Sequence, residues 1–179
     1  MTIIRLGKEK EMKTKPSARN NFFDVVNWAI KIGPLKESFD PNEFFNGMFT
    51  TNPWMGDVFE KDVLKEAKII TKSKTASLKS IDLKKSATDN EIFKTFMKII
   101  PFKINDILWV IAKLMKTSEL RKEERHANLF YIKKAKDFFV IHLLWWEEGI
   151  RIFCWRFGCH GPHWPALWPK GTRVFLPSN

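Results

Sequence analysis

Four residues with metal-binding side chains lie close together in the last part of this 179-residue chain: Cys154, Cys159, His160 and His163. Thiolate sulfur and imidazole nitrogen are the ligands that tetrahedral zinc prefers. The four-residue gap between the cysteines and the adjacent Cys-His pair do not match the common zinc-knuckle spacing. We therefore expect no metal or other cofactor, with zinc as the alternative. The other interpretation is a core cysteine followed by loop residues that pack beside Trp164 and Pro165.

No arrangement of side chains in the sequence predicts catalysis. The same segment offers a Cys-His pair, but no third group that would orient the histidine is apparent. The sequence contains no glycine-rich phosphate loop, dinucleotide-binding fingerprint, paired-histidine zinc motif or serine nucleophile elbow. We therefore expect a protein that is not an enzyme.

Basic side chains are the most prominent chemical feature of the chain. Lys and Arg number 31 against 20 Asp and Glu, so the formal net charge is +11. This excess favours a polyanionic partner, either nucleic acid or an anionic membrane surface, because each neutralised phosphate releases bound counterions. The alternative is a solvated lysine face without a ligand, and the net charge favours the functional interpretation.

The candidate RNA-binding residues fall into three groups. The densest group surrounds a predicted strand: Arg121, Lys122, Arg125, Lys133, Lys134 and Lys136. Two lysines lie at the end of the preceding predicted helix: Lys113 and Lys116. A Lys- and Ser-rich stretch adds four more: Lys72, Lys74, Lys84 and Lys85. We expect these side chains to contact the RNA backbone, which positions a protein without reading base sequence.

Tryptophans near the end of the chain have two interpretations. Trp155, Trp164 and Trp168 could stack on bases, as aromatic side chains do in many RNA-binding proteins. They could equally fill a core or a protein contact. Helical spacing favours the core for Trp145, whereas the choice stays open for Trp164 and Trp168.

The sequence predicts neither a disulfide scaffold nor a membrane span. Two cysteines in 179 residues are too few for a fold built on disulfides. The longest apolar run, Phe138 to Trp146, is nine residues, whereas a spanning helix needs roughly 20. We therefore expect no membrane partner.

The first 102 residues predict a basic arm followed by a mostly helical extension. Residues 1–20 are polar and aperiodic, which predicts an extended arm, and residues 21–102 form the extension. Its Lys-rich stretch at 71–87 is predicted as a linker, with a strand that follows the phosphate backbone as the alternative. Apolar spacing and capping signals predict helices over Asn21–Ile32, from Asp40-Pro41 through Met48, over Asp57–Ile70 and from Thr88 onward. Thr88 and Glu91 form a capping box.

Residues 103–179 predict a separate α+β domain with element order α-β-α-β-β. The predicted elements are a helix Ile104–Met115, a strand His126–Ile132, a helix Lys133–Glu148 capped by Gly149, and strands Ile150–Phe157 and Gly171–Leu176. We expect the last two strands to pair antiparallel. The two helices would then cover one face of a small sheet.

The segment Ile104–Leu176 resembles the N-terminal half of the small-subunit ribosomal protein eight family. The run Ile104-Asn105-Asp106-Ile107-Leu108 stands where that family's first helix opens with an Ile-Ala-Asp-Met-Leu type run. Lys133-Lys134-Ala135-Lys136 stands at the turn into its second helix. Trp145-Trp146-Glu147-Glu148-Gly149 stands at that helix's end, where the family has a Leu-Lys-Glu-Glu-Gly type sequence.

The resemblance implies a non-catalytic structural protein of a mitochondrial small ribosomal subunit, bound to ribosomes in the matrix. It implies contacts with rRNA and other small-subunit proteins, including a separately encoded chain that carries the family's C-terminal half, which has no counterpart here. Two alternatives stay open. One is a peripheral accessory subunit of an organellar membrane complex with basic faces toward anionic lipid. The other is a small zinc-binding module.

Overall fold

The computed structural model describes residues 23–49, 55–96, 101–147, 149–156 and 167–178. Seven strands in these ranges form one sheet: β1 (Phe23–Ile32), β2 (Ala76–Leu83), β3 (Phe102–Lys103), β4 (Asn128–Lys134), β5 (Asp137–Trp146), β6 (Gly149–Arg156) and β7 (Arg173–Pro177). The α-helices are α1 (Pro41–Phe49), α2 (Asp89–Phe96) and α3 (Ile104–Leu114). A π-helical segment, Phe59–Val63, and a 3-10 turn, Leu64–Glu66, lie between α1 and β2.

The sheet is mixed, with strand order β1-β2-β7-β4-β5-β6. Neighbouring strands are antiparallel except that β4 runs parallel to both β7 and β3. Every residue of β4 pairs with β5 along one edge of β4. The other edge of β4 is therefore shared by β7 and β3. The predicted α+β class is therefore confirmed, while its arrangement differs from the predicted one.

The predicted helix Lys133–Glu148 is wrong: this segment is the end of β4, a turn and the whole of β5. Alternate residues of β5 enter cores on opposite faces of the sheet, Ile141 on one side and Val140 on the other. A strand that is buried on both faces shows a continuous apolar run instead of alternation. Such a run matches a helical pattern as well as a strand, and only packing on two faces distinguishes them.

The predicted helix Asn21–Ile32 is also wrong, because Phe23–Ile32 forms the strand β1. Its pairing with β2 shifts register between Val25 and Asn27 and again between Asn27 and Ile30. Each shift displaces the alternation of side chains by one position. Apolar residues then recur at spacings of three and four, which imitate a helix.

The predicted linker 71–87 contains the inner strand β2, which lies between β1 and β7. Leu78, Ile81 and Leu83 of this strand are buried. The predicted pairing of the last two strands is wrong, since β7 pairs with β2 and β4 and not with β6. One sheet thus contains strands from both the predicted extension and the predicted 103–179 domain.

Three predicted helix starts are confirmed, two of them together with their caps. The Asp40 carboxylate accepts hydrogen bonds from the backbone N–H groups of Asn42 (2.8 Å) and Glu43 (3.3 Å) at the start of α1. Thr88 and Glu91 form the predicted capping box, in which each side chain binds the other residue's backbone N–H. The helix α3 begins at Ile104 as predicted.

Helices cover both faces of the sheet. One face packs against α1, α3 and the π-helical segment, with Phe45, Phe59 and Ile107 fully buried. The other face packs against α2, with Ile92 fully buried and Trp168 nearly so. The helix α3 therefore lies on the sheet along most of its surface, and its remaining side borders the candidate site.

Candidate nucleic-acid interface

The candidate site follows one side of α3. Ile107, Leu108 and Ile111 of this helix are buried against the sheet. Asp106, Trp109 and Lys113 of this helix, and Lys116 just after it, border the site and recur at the three- and four-residue spacing of one helical face. Trp109 is only 3% exposed, so its side chain forms part of the floor.

Three openings follow one another along α3, and each shares one residue with the next. The first, about 420 Å³, lies at the start of α3 and is bordered by Lys103, Asp106 and Lys133. The second, about 430 Å³, shares Asp106 with the first and extends to Trp109. The third, about 330 Å³, shares Trp109 with the second and ends at Lys116. We call these three openings together the α3 groove.

Lysines outnumber acids along the α3 groove. Its lysines are Lys36, Lys72, Lys74, Lys103, Lys113, Lys116, Lys133 and Lys134, and its acids are Glu37, Glu66 and Asp106. Cations of one sign that line a recess between low-dielectric walls concentrate the positive potential there. The α3 groove can therefore attract an anionic chain without any catalytic group.

Hydrogen bonds hold the outer wall of the α3 groove in place. The backbone N–H of Leu35 donates to the Ser73 hydroxyl at 2.6 Å. Phe39 and Ile70 exchange two backbone hydrogen bonds of 2.9 Å each. These contacts tie two segments that are far apart in sequence into one wall opposite α3. The lysines on either side of Ser73 line the second opening, whereas Lys113 and Lys116 line the third, across from Lys36.

Lys134 differs from the other lysines of the α3 groove because it is engaged within the protein. Its ammonium forms ion pairs with Glu66 (2.9 Å) and Asp62 (3.4 Å) and donates a hydrogen bond to the Asp62 carbonyl. The hydrogen bond with Glu66 raises the pKa of Lys134 above its ordinary value. Lys134 therefore joins β4 to the π-helical segment and the turn after it, and its charge is largely compensated.

The α3 groove brings together six of the twelve residues predicted to bind RNA: Lys72, Lys74, Lys113, Lys116, Lys133 and Lys134. The other six lie elsewhere: Arg121, Lys122 and Arg125 between α3 and β4, Lys136 in the β4–β5 turn, and Lys84 and Lys85 just after β2. The groove also contains Lys36 and Lys103, which the sequence patterns did not single out. Both residues lie outside the charge clusters in sequence, so only the chain's packing reveals them.

Arg121, a predicted RNA contact, instead takes part in an ion cluster around Asp82. The Arg173 guanidinium contacts the Asp82 carboxylate at 2.7 and 3.0 Å, and Arg121 pairs with the same carboxylate. Burial opposes ionisation of Asp82, but the hydrogen bonds from Arg173 and Arg121 outweigh it and lower the pKa of Asp82. Arg173 also donates to the Glu119 carbonyl at 2.7 Å. This cluster joins β2, β7 and the segment after α3.

A second buried carboxylate, Asp89, lies on the opposite face of the sheet. It accepts hydrogen bonds from the Tyr131 hydroxyl (2.8 Å), the Trp168 indole (2.7 Å) and the Trp155 indole (3.3 Å). The two indole rings stack with centroids 5.0 Å apart. Trp155 and Trp168 therefore act in the core, which rules out base stacking for Trp168 in this structure. The contacts join residues up to 79 positions apart, so no local pattern could predict them.

His142 lies beside this aromatic cluster and is completely buried. Its ring stacks on Phe153 at 5.0 Å and lies 4.3 Å from the Trp155 ring. Burial lowers the pKa of His142 to about 3. The imidazole is therefore neutral at physiological pH and adds no positive charge to the protein.

Of the four zinc candidates, only Cys154 lies in the described ranges; Cys159, His160 and His163 lie outside them. Cys154 is buried in the core beside α3's face of the sheet. Burial raises the pKa of the Cys154 thiol to about 12, which favours the protonated form over the thiolate that binds metal. Within the described ranges, no three His, Cys, Asp or Glu side chains form a metal-binding group. The zinc alternative stays a prediction.

None of the helices in the described part of the chain is long and apolar enough to cross a membrane. Comparisons with protein families, with curated proteins and with solved structures found no match to this chain.

Proposed function

We propose that this protein binds RNA through the α3 groove and serves as a non-catalytic constituent of a ribonucleoprotein. The observation that carries the proposal is the excess of positive charge along the groove, where eight lysines lie beside three acids. A row of cations in a recess matches the phosphate backbone of a nucleic acid, which supplies most of the binding free energy in such complexes.

The shape of the α3 groove favours a nucleic acid over a membrane surface. Lipid headgroups form a plane, and peripheral proteins meet that plane with a projecting basic face and exposed apolar anchors. The lysines here line the walls of a recess on both sides of Trp109, whose side chain is almost wholly buried. A nucleic-acid strand can enter such a recess, whereas a plane of lipid headgroups contacts only the residues at its outer edges.

A narrower form of the proposal is a structural protein of a mitochondrial small ribosomal subunit, located in the matrix. It rests on the net charge and on the resemblance of the Ile104–Leu108 run to the ribosomal protein eight family. That run lies at the start of α3, beside the first opening of the groove. The family's second helix has no equivalent here, because the segment that resembles it is β5. The partners would be rRNA and neighbouring ribosomal proteins, with no enzyme activity or cofactor.

The test of RNA binding replaces three groove lysines, Lys74, Lys113 and Lys116, by Gln; we call this variant the groove triple. Affinity for a labelled RNA hairpin with a single-stranded tail is measured by fluorescence anisotropy at several salt concentrations. We expect weaker binding and a log Kd against log salt slope that is shallower by about two units, since each lost phosphate contact removes about 0.7–0.9.

The matched control replaces Lys31, Lys94 and Lys170, which are exposed and lie outside the α3 groove, by Gln. This control triple changes the net charge by the same amount as the groove triple. We expect it to keep nearly the wild-type affinity. Equal losses in the two triples would mean that binding depends on net charge alone, which would contradict a role for the groove.

The ribosomal form of the proposal has its own test. A tagged copy of the protein is expressed in cells, and a detergent lysate is centrifuged through a sucrose gradient with and without ribonuclease. We expect the protein to sediment with small ribosomal subunits and to leave those fractions after ribonuclease treatment. Recovery with membranes in a flotation gradient would instead support the membrane-complex alternative.

A further inference from the structure

We infer that the α3 groove accepts a single strand of RNA rather than a duplex, and that one base packs against Phe44 at its far end. The inference rests on the proposed function and concerns the form of the ligand. It follows from four features of the groove: the size of the openings, the position of the lysines, the burial of its aromatic floor and the location of Asp106.

The size of the openings favours a strand that enters one nucleotide at a time. Their volumes of about 330, 420 and 430 Å³ lie near the lower end of pockets for small molecules. The helix α3 has 11 residues and is therefore about 16 Å long. A track of this size holds a few successive nucleotides, whereas the grooves and paired backbones of a duplex require a broad surface.

The position of the lysines favours contacts to one backbone. At the third opening, Lys113 and Lys116 lie on the α3 side and Lys36 lies on the opposite wall, while Lys72 and Lys74 lie on the wall opposite α3 at the second opening. Phosphates of a single strand that passes between the walls can meet cations from both sides. In a duplex the phosphates lie on the outside of a wide rod, so a narrow recess would leave the cations of one wall without a partner.

Among the described aromatic residues of the groove, the half-buried ones lie at the third opening. Trp109 and Phe102 are 3% and 8% exposed, so their ring faces are covered by protein. Phe44 and Phe39 are half-buried at the third opening, with ring centroids 5.5 Å apart. Along the rest of the groove the strand would be held by its phosphates, which carry no base identity. We therefore expect little sequence preference.

Asp106 divides the basic track. This exposed carboxylate borders both the first and the second openings, between Lys103 on one side and the Lys72–Lys74 segment on the other. A negative charge there repels a phosphate that passes over it. Its removal should therefore strengthen the binding of a strand that runs through the groove, and should have little effect on a ligand that contacts other surfaces.

The experiment compares two labelled RNAs on the full chain: an unpaired oligouridine of about eight nucleotides and a blunt GC-rich duplex of about eight base pairs. Affinities are measured for the wild type, the groove triple and the control triple. We expect the single strand to bind at least about tenfold more tightly than the duplex, and the groove triple to abolish that difference. The control triple should preserve it.

Two further variants test the features within the groove. Asp106→Asn should tighten binding of oligouridine about twofold to fivefold and leave duplex binding unchanged. Phe44→Leu keeps an apolar side chain but removes the aromatic face, so it should weaken oligouridine binding about fivefold. An abasic oligomer of the same length should bind the wild type and the Phe44→Leu variant equally well. Circular dichroism checks that both variants fold.

The outcomes separate the inference from the proposed function. If the duplex binds as tightly as the single strand and is equally weakened by the groove triple, the inference is wrong but the RNA-binding proposal stands. If neither RNA distinguishes the groove triple from the control triple, both are wrong. If the groove triple instead reduces binding to vesicles that contain phosphatidylserine and leaves RNA binding unchanged, a membrane is the ligand and both are wrong.

Discussion

At the scale of single residues, Asp82 shows how one buried charge holds distant parts of the chain together. Its carboxylate receives Arg173 from β7 and Arg121 from the segment after α3, and Arg173 in turn binds the Glu119 carbonyl. The Asp82 and Arg173 side chains are 11% and 10% exposed, so solvent does little to screen this pair. The cluster lies apart from the α3 groove and is therefore a structural feature.

Replacing Asp82 by Asn should lower the free energy of unfolding by about 3 kcal/mol, because it leaves the buried Arg173 guanidinium uncompensated. Urea unfolding followed by circular dichroism measures the loss. The control is Asp57→Asn, which removes an exposed ion pair to Lys61 and should leave stability nearly unchanged, because solvent screens such a pair. A loss of the same size in both variants would show that the Asp82 cluster contributes little.

The Asp82 cluster also predicts a pH dependence of stability. The pKa of Asp82 is lowered in the folded chain relative to its ordinary value of 3.8. The stabilisation is therefore complete above that value and is lost as the pH falls through the lower, folded pKa, because the unfolded chain binds the proton first. In acid titrations of the unfolding midpoint, Asp82→Asn should lose less stability below pH 4 than the wild type. Parallel curves would contradict this assignment.

At the scale of elements, local sequence signals decided where helices begin, whereas packing decided which apolar segment is a strand. Asp40 and the Thr88–Glu91 pair begin α1 and α2 in the structure as their sequence signals predict, because a cap is satisfied by neighbours within three residues. The strand β5 has no such local signature. Its character depends on cores above and below it and on β4 and β6 beside it.

Gly149 provides a test at this scale, since its predicted positive φ is confirmed at 126°. It faces Trp146 across the hairpin between β5 and β6 instead of capping a helix. Gly149→Val should destabilise the protein by about 1–2 kcal/mol or more, because a β-branched residue is strained at positive φ. Thermal unfolding measures the change.

The control for Gly149→Val is Gly47→Ala in the helix α1. A Cβ atom built at Gly47 meets no neighbour within 4 Å. Alanine should therefore stabilise α1 by about 0.5–1 kcal/mol, because glycine loses more conformational entropy in a helix. A neutral Gly149→Val variant beside a stabilised Gly47→Ala variant would mean that the hairpin tolerates another backbone conformation.

At the scale of the whole molecule, the sheet joins segments that the sequence analysis assigned to separate units. Strand β7 pairs with β2 over Leu78 to Asp82, and the Asp82 ion cluster lies at the end of this pairing. The core beside α3 likewise contains Ile30 and Ile32 from β1. Residues 103–179 therefore share both hydrogen bonds and buried surface with the preceding part of the chain.

We expect the fragment Lys103–Asn179 not to fold by itself, because it lacks β1 and β2 and leaves Arg173 without Asp82. Size-exclusion chromatography and urea unfolding test this expectation. Co-expression with the fragment 1–102 should restore a soluble complex with a cooperative transition. A monomeric fragment that unfolds cooperatively by itself would show instead that residues 103–179 form an independent domain.

The set of lysines that line the α3 groove is also decided by the fold of the whole molecule. Charge counts identified lysines such as Lys72 and Lys113, but could not show that they line neighbouring openings along α3. Arg121 belongs to an equally dense cluster of basic residues in the sequence, yet its guanidinium forms an ion pair with Asp82 within the protein. Lys36 and Lys103 had no local signal at all. The sequence therefore predicted that the protein favours an anionic partner, but not which lysines form the site.

The sequence by itself determined the net charge, the caps of α1 and α2, the start of α3 and the positive φ of Gly149. These features depend on composition or on contacts within a few residues, where physical chemistry acts locally. Only the tertiary structure decided that Lys133–Glu148 and Asn21–Ile32 contribute strands, that β7 pairs with β2, and which lysines share the α3 groove. Those outcomes depend on burial and pairing between residues tens of positions apart, and an apolar run carries the same local pattern whether one helix or a doubly covered strand buries it.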